Sequence, residues 1–297
     1  TNKGWEFRVD AVPFQNKDWR VGVYFNIAHN ENKITEMPDN YIEENYTFGN
    51  GNYAYRREEG RPMGSFYGYR YKGVYQNKDA TYARDIEGNV MKDISGNAIV
   101  MRNGSYTVAP GDAIYEDVNH DGVINQYDIV YLGNSNPRLT GGAGLNVSYK
   151  QFKLSAIFYG RYGQDVVNAT RLNNESMRGI DNQSTAVLRR WRNEGDQTDI
   201  PRALYGEGYN TLGSDRFVED ASYLRLKSLS FTYRLPKKAI QRWGFNNIDV
   251  YVTGYNLFTW TKYTGQDPEV KTENTYARDT ATTPASIQLV AGFNLSF

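Results

Sequence analysis

The residues best suited to chemistry lie between Asp117 and Asp128, in the pattern D-x-N-x-D-G-x-I-x-x-x-D. Oxygen-bearing side chains at alternate positions, followed by a glycine at the sharp turn, are typical of an EF-hand-like calcium loop. Asp128 takes the last position, where the longer glutamate is usual, so its bidentate contact is weakened. The predicted calcium ligands are Asp117, Asn119, Asp121, Val123 through its carbonyl, Asn125 through water, and Asp128. The alternative is an Asx-rich turn that caps itself and binds no ion.

The remaining composition does not point to catalysis. The chain has no cysteine, which excludes disulfides, thiol catalysis and cysteine metal sites. His29 and His120 stand in different contexts, and the glycines at 141, 142 and 144 precede no helix that would make a phosphate loop. We therefore expect no enzyme, no catalytic residue and no organic cofactor, and we assign no substrate-binding residue. The net charge of +0 gives no indication of a nucleic-acid partner.

A cluster of arginines lies in residues 184–194 (STAVLRRWRNE). The spacing predicts a short amphipathic helix capped by Ser184 or Thr185, with Val187, Leu188 and Trp191 on one face. Its cations Arg189, Arg190 and Arg192 could bind an anionic ligand or form a solvated face, and the solvated face is favoured.

The elements that would hold these segments are strands with one apolar face. Strict period-two alternation predicts seven of them, at 5–12, 19–29, 139–149, 152–162, 223–234, 248–259 and 285–297. In the segment 223–234 the alternation changes phase, which predicts a β-bulge. No apolar run approaches the ~20 residues that a membrane helix needs. The aromatic share of 14% suits the aromatic girdles of a transmembrane barrel, although a tyrosine-rich secreted sandwich fits the composition as well.

The connections between these strands distinguish a barrel from a sandwich. Short links alternate with long ones at 30–138, 163–222 and 260–284, as the periplasmic turns and extracellular loops of an outer-membrane barrel do. Counting strands on this basis places the C-terminus in the periplasm and the aromatic segment 64–75 inside the first long loop. Seven strands cannot close a bacterial barrel of even strand number. We therefore expect the chain to pair with strands outside its 297 residues.

Short motifs occur over nearly the whole chain, at 2–7 (NKGWEF), 25–33 (FNIAHNENK), 59–68 (EGRPMGSFYG), 110–112 (PGD), 115–122 (YEDVNHDG), 133–137 (GNSNP), 219–227 (EDASYLRLK), 256–259 (NLFT) and 265–269 (GQDPE). In this order they resemble the motifs of the SusC/RagA family of TonB-linked (TonB-dependent) outer-membrane transporters.

The resemblance implies an all-β fold in which residues 1–297 are the C-terminal portion of an antiparallel barrel of about 22 strands, with 117–128 in its long extracellular loop. The plug domain and the TonB-binding segment would lie outside this chain. The implied function is import of glycan or peptide fragments across the outer membrane. The implied partners are a SusD-like lipoprotein lid, the TonB complex, the rest of the barrel and plug, and membrane lipid. A passive porin or structural barrel and a secreted calcium-binding adhesion module remain the alternatives.

Overall fold

A computed structural model describes residues 1–38, 44–273 and 276–297. The parts of the first and third predicted long loops at 39–43 and 274–275 lie outside the described residues. The main sheet has seven antiparallel strands, each hydrogen-bonded to the next along the chain. They are β1 (Asn2–Gln15), β2 (Trp19–Asn32), β3 (Leu139–Tyr149), β4 (Phe152–Tyr162), β5 (Tyr223–Arg234), β6 (Asn247–Thr261) and β7 (Gln288–Ser296). All seven predicted strands are confirmed, with ends shifted by a few residues.

The register of the sheet aligns the apolar positions of neighbouring strands. Phe25 lies opposite Val9 on β1 and Ala143 on β3. Leu154 lies between Val147 on β3 and Phe231 on β5. Because directly opposite residues point to the same side of a sheet, the alternating residues form one continuous apolar face. This apolar face is open, and Phe25 is 45% exposed. The opposite side of the sheet is called the polar face below.

The predicted bulge in β5 is present at Lys227. Leu226 pairs with Phe158 of β4, whereas Ser228 pairs with the adjacent Ile157, so Lys227 has no partner on β4. The extra residue lets Leu226 and Leu229 reach the same apolar face although they are three positions apart.

The connections alternate in length, as predicted. Two turns, at 16–18 and 150–151, and the segment 235–246 join strands at one end of the sheet. Residues 33–138, 163–222 and 262–287 join strands at the other end. The helices are α1 (Ala169–Asn174), α2 (Lys237–Ile240) and the 3-10 turns Asp79–Thr81, Gln126–Asp128, Thr185–Arg189, Asp215–Phe217 and Gln241–Trp243. No described helix is long and apolar enough to cross a membrane.

The three long connections fold into a packed structure that we call the loop body. Its short strands are Glu44–Asn45, Tyr55–Arg56, Ser65–Gly68, Tyr71–Val74, Arg102–Asn103, Tyr106–Thr107, Ala113–Tyr115, Val123–Ile124, Val130–Asn134, Asp165–Asn168, Val218–Asp220, Thr272–Glu273 and Tyr276–Asp279. Phe66, Tyr67 and Tyr69 of the aromatic segment 64–75 are fully buried in it. The prediction that this segment lies in a loop and not in the main sheet is therefore confirmed.

Strand pairing within the loop body joins different connections. Asp165–Asn168, in the second connection, pairs with Tyr276–Asp279 in the third. An isolated bridge joins Asn50 in the first connection to Leu212 in the second. The three connections therefore support one another, and they hold the candidate sites at one end of the sheet.

Candidate functional site in the loop body

The acidic motif at 117–128 forms a tight turn that its own carboxylates cap. The amide of Gly122 donates to Asp117 Oδ2 at 2.8 Å, and that of Val123 donates to Asp121 Oδ1 at 2.8 Å. Gly122 has a positive φ of 82°, as its position at the sharp turn predicts. A Cβ there would lie 3.0 Å from the Cβ of Ala83. Asn119 Nδ2 donates to Asp121 Oδ2 at 2.9 Å, so three of the predicted ligands lie together.

The last positions of the motif are engaged elsewhere. Asp128 is fully buried, and its two carboxylate oxygens accept the amides of Val118 and Asn125, each at 2.8 Å. Burial raises the pKa of Asp128 above that of an ordinary carboxyl. Asn125 Nδ2 donates to the carbonyl of Val123 at 3.0 Å. Both carboxylate oxygens of Asp128 are therefore engaged in capping the backbone of the turn.

A calcium site therefore fits the first half of the motif better than the second. Nowhere in the described ranges do three or more His, Cys, Asp or Glu side chains group as a metal ion would require. The side-chain pattern of the Asx-rich alternative is present in full. Calcium binding by Asp117, Asn119, Asp121, Val123, Asn125 and Asp128 stays a prediction.

The arginine-rich segment forms a 3-10 helix of five residues, Thr185–Arg189. Ser184 caps it as predicted, accepting the amide of Ala186 at 3.2 Å. The predicted apolar face is only partly confirmed, because Val187 is buried but Leu188 is 64% exposed. The guanidinium of Arg192 donates to the carbonyl of Leu188 at 3.0 Å, within its own turn. The helix ends because Trp191 turns away, and its amide donates to the carbonyl of Ile200 at 2.9 Å.

Sequence reasoning missed a buried carboxylate at Asp112. Its oxygens accept Arg202 Nε at 2.7 Å, Asn210 Nδ2 at 3.0 Å, the hydroxyl of Tyr106 at 2.9 Å and the amide of Ala109 at 2.8 Å. Asp112 is completely buried, so these donors replace its water shell. The arrangement joins the first long connection to the second. The Pro-Gly-Asp motif was the available signal, but it did not reveal the partners.

The residue before this carboxylate, Gly111, must be a glycine. It has a φ of 88°, and a Cβ would lie 2.3 Å from Cε3 of Trp191. Only glycine allows the indole of Trp191 to pack over the backbone beside Asp112.

A second buried charge group joins the third connection to the polar face of the sheet. Arg225 of β5, with a side chain only 3% exposed, donates to Asp267 Oδ1 at 2.5 Å and to Glu269 Oε2 at 2.9 Å. Lys227, at the bulge, also donates to Glu269 Oε2, at 2.8 Å. Arg225 Nε donates to Thr259 Oγ1 of β6 at 2.8 Å. The bulge therefore brings a second cation to the same carboxylate.

A cavity of about 780 Å³ lies beside this group, between the polar face and the third connection. Its lining is mostly polar and includes Arg161, Asp267, Glu269, Val270, Lys271, Arg278, Thr280, Thr282, Thr283 and Ala285. A second cavity, of about 740 Å³, lies against the apolar side of β3 and β4 near Phe158 and Trp260. The first cavity has the polar groups expected of a ligand site.

Comparison with known proteins gives the family. No protein-family model matches the chain. TonB-dependent receptor P3 of Formosa agariphila is 32% identical over 280 residues, which cover 92% of this chain and 25% of the receptor. TonB-dependent receptor SusC of Bacteroides thetaiotaomicron is 28% identical over 305 residues, 100% of this chain and 26% of SusC. The chain is homologous to TonB-dependent receptors of the SusC/RagA type. It spans about a quarter of the length of these curated relatives.

Solved structures of this family agree with the fold. The RagAB peptide transporter superposes with a TM-score of 0.73 at 26% identity, covering 100% of this chain and 29% of the transporter chain. The RagAB peptide importer in its open-open state gives a TM-score of 0.69 at 25% identity. The seven-stranded sheet accordingly has the fold of a portion of the antiparallel β-barrel in these relatives, as the resemblance of the motifs predicts.

Proposed function

We propose that this chain is part of an outer-membrane importer that takes up oligomeric nutrients with energy from TonB. One observation carries the proposal, namely the homology to TonB-dependent receptors over the sheet and the loop body together. The RagAB relatives are a peptide transporter by name, and SusC is a TonB-dependent receptor. Peptide or glycan fragments are the corresponding cargo, and a SusD-like surface lipoprotein is the corresponding partner.

The sheet is suited to form a barrel wall in lipid. Its apolar face is exposed on six of the seven strands and half-buried on β3, with Phe7, Val23, Phe231 and Phe293 among the exposed side chains. Lipid would cover this face, while the polar face would line the lumen. The five inner strands bond a neighbour on both sides, so their backbone needs no water within the membrane. The outermost strands β1 and β7 would pair with the remaining strands of the barrel.

The loop body is suited to meet ligand and partner. It gathers the three long connections at one end of the sheet, which we assign to the cell exterior, and this puts the C-terminus in the periplasm. The buried charge group at Asp112 joins the first connection to the second, and the group at Arg225 holds the third connection against the lumenal side. Cargo would bind between these connections and the lipoprotein. The TonB force would act on a plug domain, to which we assign no residue of the 297 described by this sequence.

Uptake measurements test the proposal. Cells that express the transporter carrying this chain should accumulate labelled oligopeptides or oligosaccharides, and deletion of TonB should abolish the accumulation. A transport-deficient variant with an unchanged sheet supplies the background level. Undiminished uptake without TonB would show a passive pore instead. Recovery of the protein from the soluble periplasm or the medium would contradict a membrane barrel and favour a secreted module.

A further inference from the structure

The lumenal cavity beside Arg225 has an uneven charge. Three cations, Arg161, Lys271 and Arg278, and two carboxylates, Asp267 and Glu269, line it. Arg225 and Lys227 do not line the cavity, but they form ion pairs with these carboxylates. Three positive charges less two negative charges leave one positive charge on the lining itself.

The two carboxylates already hold two cations. Asp267 Oδ1 accepts Arg225, and its Oδ2 accepts the amide of Ala285 at 2.9 Å. Glu269 Oε2 accepts both Arg225 and Lys227. These two acids therefore neutralise the two cations that hold the third connection to the sheet. Glu269 also attracts Arg161 through space, although the two form no ion pair.

Three cations remain without an ionic partner. Arg161, Lys271 and Arg278 form no ion pair with any residue in the described ranges. Arg161 Nε donates to the hydroxyl of Tyr159 at 3.2 Å, which leaves its two terminal nitrogens available. Asp279 follows Arg278 in the chain, but its carboxylate accepts the hydroxyl of Tyr263 at 2.6 Å. The carboxylate of Asp279 is therefore engaged elsewhere.

The cavity also offers neutral donors. Thr280, Thr282 and Thr283 line it, and all three are exposed. Guanidinium groups bind carboxylates through two parallel N–H···O bonds, and hydroxyl groups complete such sites. An open cavity with three cations that form no ion pair and three hydroxyls matches a ligand that carries negative charge.

We propose that this cavity binds carboxylate groups of the imported oligomer, so that the transporter prefers acidic cargo. The proposal rests on the proposed import function and adds the charge class of the ligand. The carboxylates can belong to acidic side chains of a peptide or to uronic acids of a glycan. Both present the same planar anion to Arg278, Lys271 and Arg161.

Binding to the detergent-purified transporter tests this with matched probes. One pair is a peptide that alternates alanine with aspartate and its asparagine counterpart. The other is a galacturonic acid oligomer and its methyl ester. At low salt we expect at least one acidic probe to bind about tenfold more tightly than its neutral counterpart, with a preference that shrinks as salt rises. The pair that shows the preference identifies the source of the carboxylate.

The double variant Lys271→Gln with Arg278→Gln should lose most of this preference and keep the affinity for the neutral probe. Lys262→Gln is the matched control, since Lys262 is exposed in the same connection but lies outside this cavity. If the double variant does not fold, the single variant Lys271→Gln, at an exposed residue, should lose part of the preference.

Two results would overturn the proposal: equal affinity within both probe pairs, or an unchanged preference in the cavity variants. Neither result depends on TonB, because binding is measured on the purified protein. Conversely, TonB-independent uptake would refute the import mechanism and leave the binding preference standing. The two failures are therefore distinguishable.

Discussion

Replacing Asp112 with asparagine should loosen the loop body and leave the barrel sheet intact. The carboxylate of Asp112 is fully buried and holds Arg202, Asn210 and Tyr106 together. Asparagine has the same shape but exchanges one acceptor oxygen for an NH2 group. That NH2 group would point at other hydrogen-bond donors and could not accept from them. Arg202 would also lose its counter-charge.

The expected loss of stability follows from the burial of Asp112 and Arg202. Removing one member of a buried ion pair costs about 3–5 kcal/mol. The Arg202 side chain is 30% exposed and regains some water, so we expect a value near the lower limit, about 3 kcal/mol. Since each 1.36 kcal/mol is a factor of ten, local opening should become roughly a hundredfold more frequent.

Hydrogen exchange measures this opening at the amide of Ala113, which donates to Asn210 Oδ1 at 3.0 Å. Its protection should fall in Asp112→Asn, and combining this change with Arg202→Gln should cost less than the sum of the two. Asp85→Asn is the control, because Asp85 is an exposed turn carboxylate that accepts amides and asparagine can keep one acceptor. Unchanged exchange at Ala113, or an equal loss in the control, would refute the reasoning.

Three further outcomes are expected. Calorimetric titration should detect calcium binding that Asp121→Ala abolishes, and no heat from the parent protein would end the calcium assignment. Glu116, hydrogen-bonded to Lys72 and Arg70, has a lowered pKa. This pairing stabilises the loop body at pH values above 4.5, the ordinary pKa of the carboxyl group. The stabilisation is lost as the pH falls through the lower pKa that Glu116 has in the folded protein. It contributes about 1 kcal/mol or less to the free energy of unfolding. Glu116→Gln should remove that part of the acid sensitivity in melting curves, and an unaltered pH profile would contradict the assignment. Phe25→Lys, on the apolar face, should cost about 2–4 kcal/mol in refolding into vesicles, whereas Asn26→Lys on the polar face should cost far less.

The sheet could be predicted because its signal is local. Alternation of apolar and polar residues fixed the face of each strand, and the phase change around Lys227 predicted the bulge that the register shows. The aromatic segment 64–75 was assigned to the loop by counting strands, and Phe66 is indeed buried there.

The loop body could not be predicted in the same way. Asp112 and Arg202 are 90 positions apart, and Arg225 and Asp267 are 42 apart, so no periodicity links them. Val187 and Leu188 were expected on one face, but the segment forms a 3-10 turn that exposes Leu188. The burial and the partners of these residues depend on packing between different connections. The local sequence pattern carries little information about such packing.

The ties between the third connection and the sheet have a mechanical consequence. An antiparallel pair can slide by two residues and still keep every side chain on its own face, so alternation alone does not fix the register. Arg225 on β5 is bonded to Asp267 beyond the end of β6, and Thr261 of β6 donates to the carbonyl of Ser222 at 2.8 Å. Sliding β5 along β6 would stretch these side-chain bonds as well as the backbone ladder. A tensile load applied along the strands would therefore meet resistance from outside the sheet.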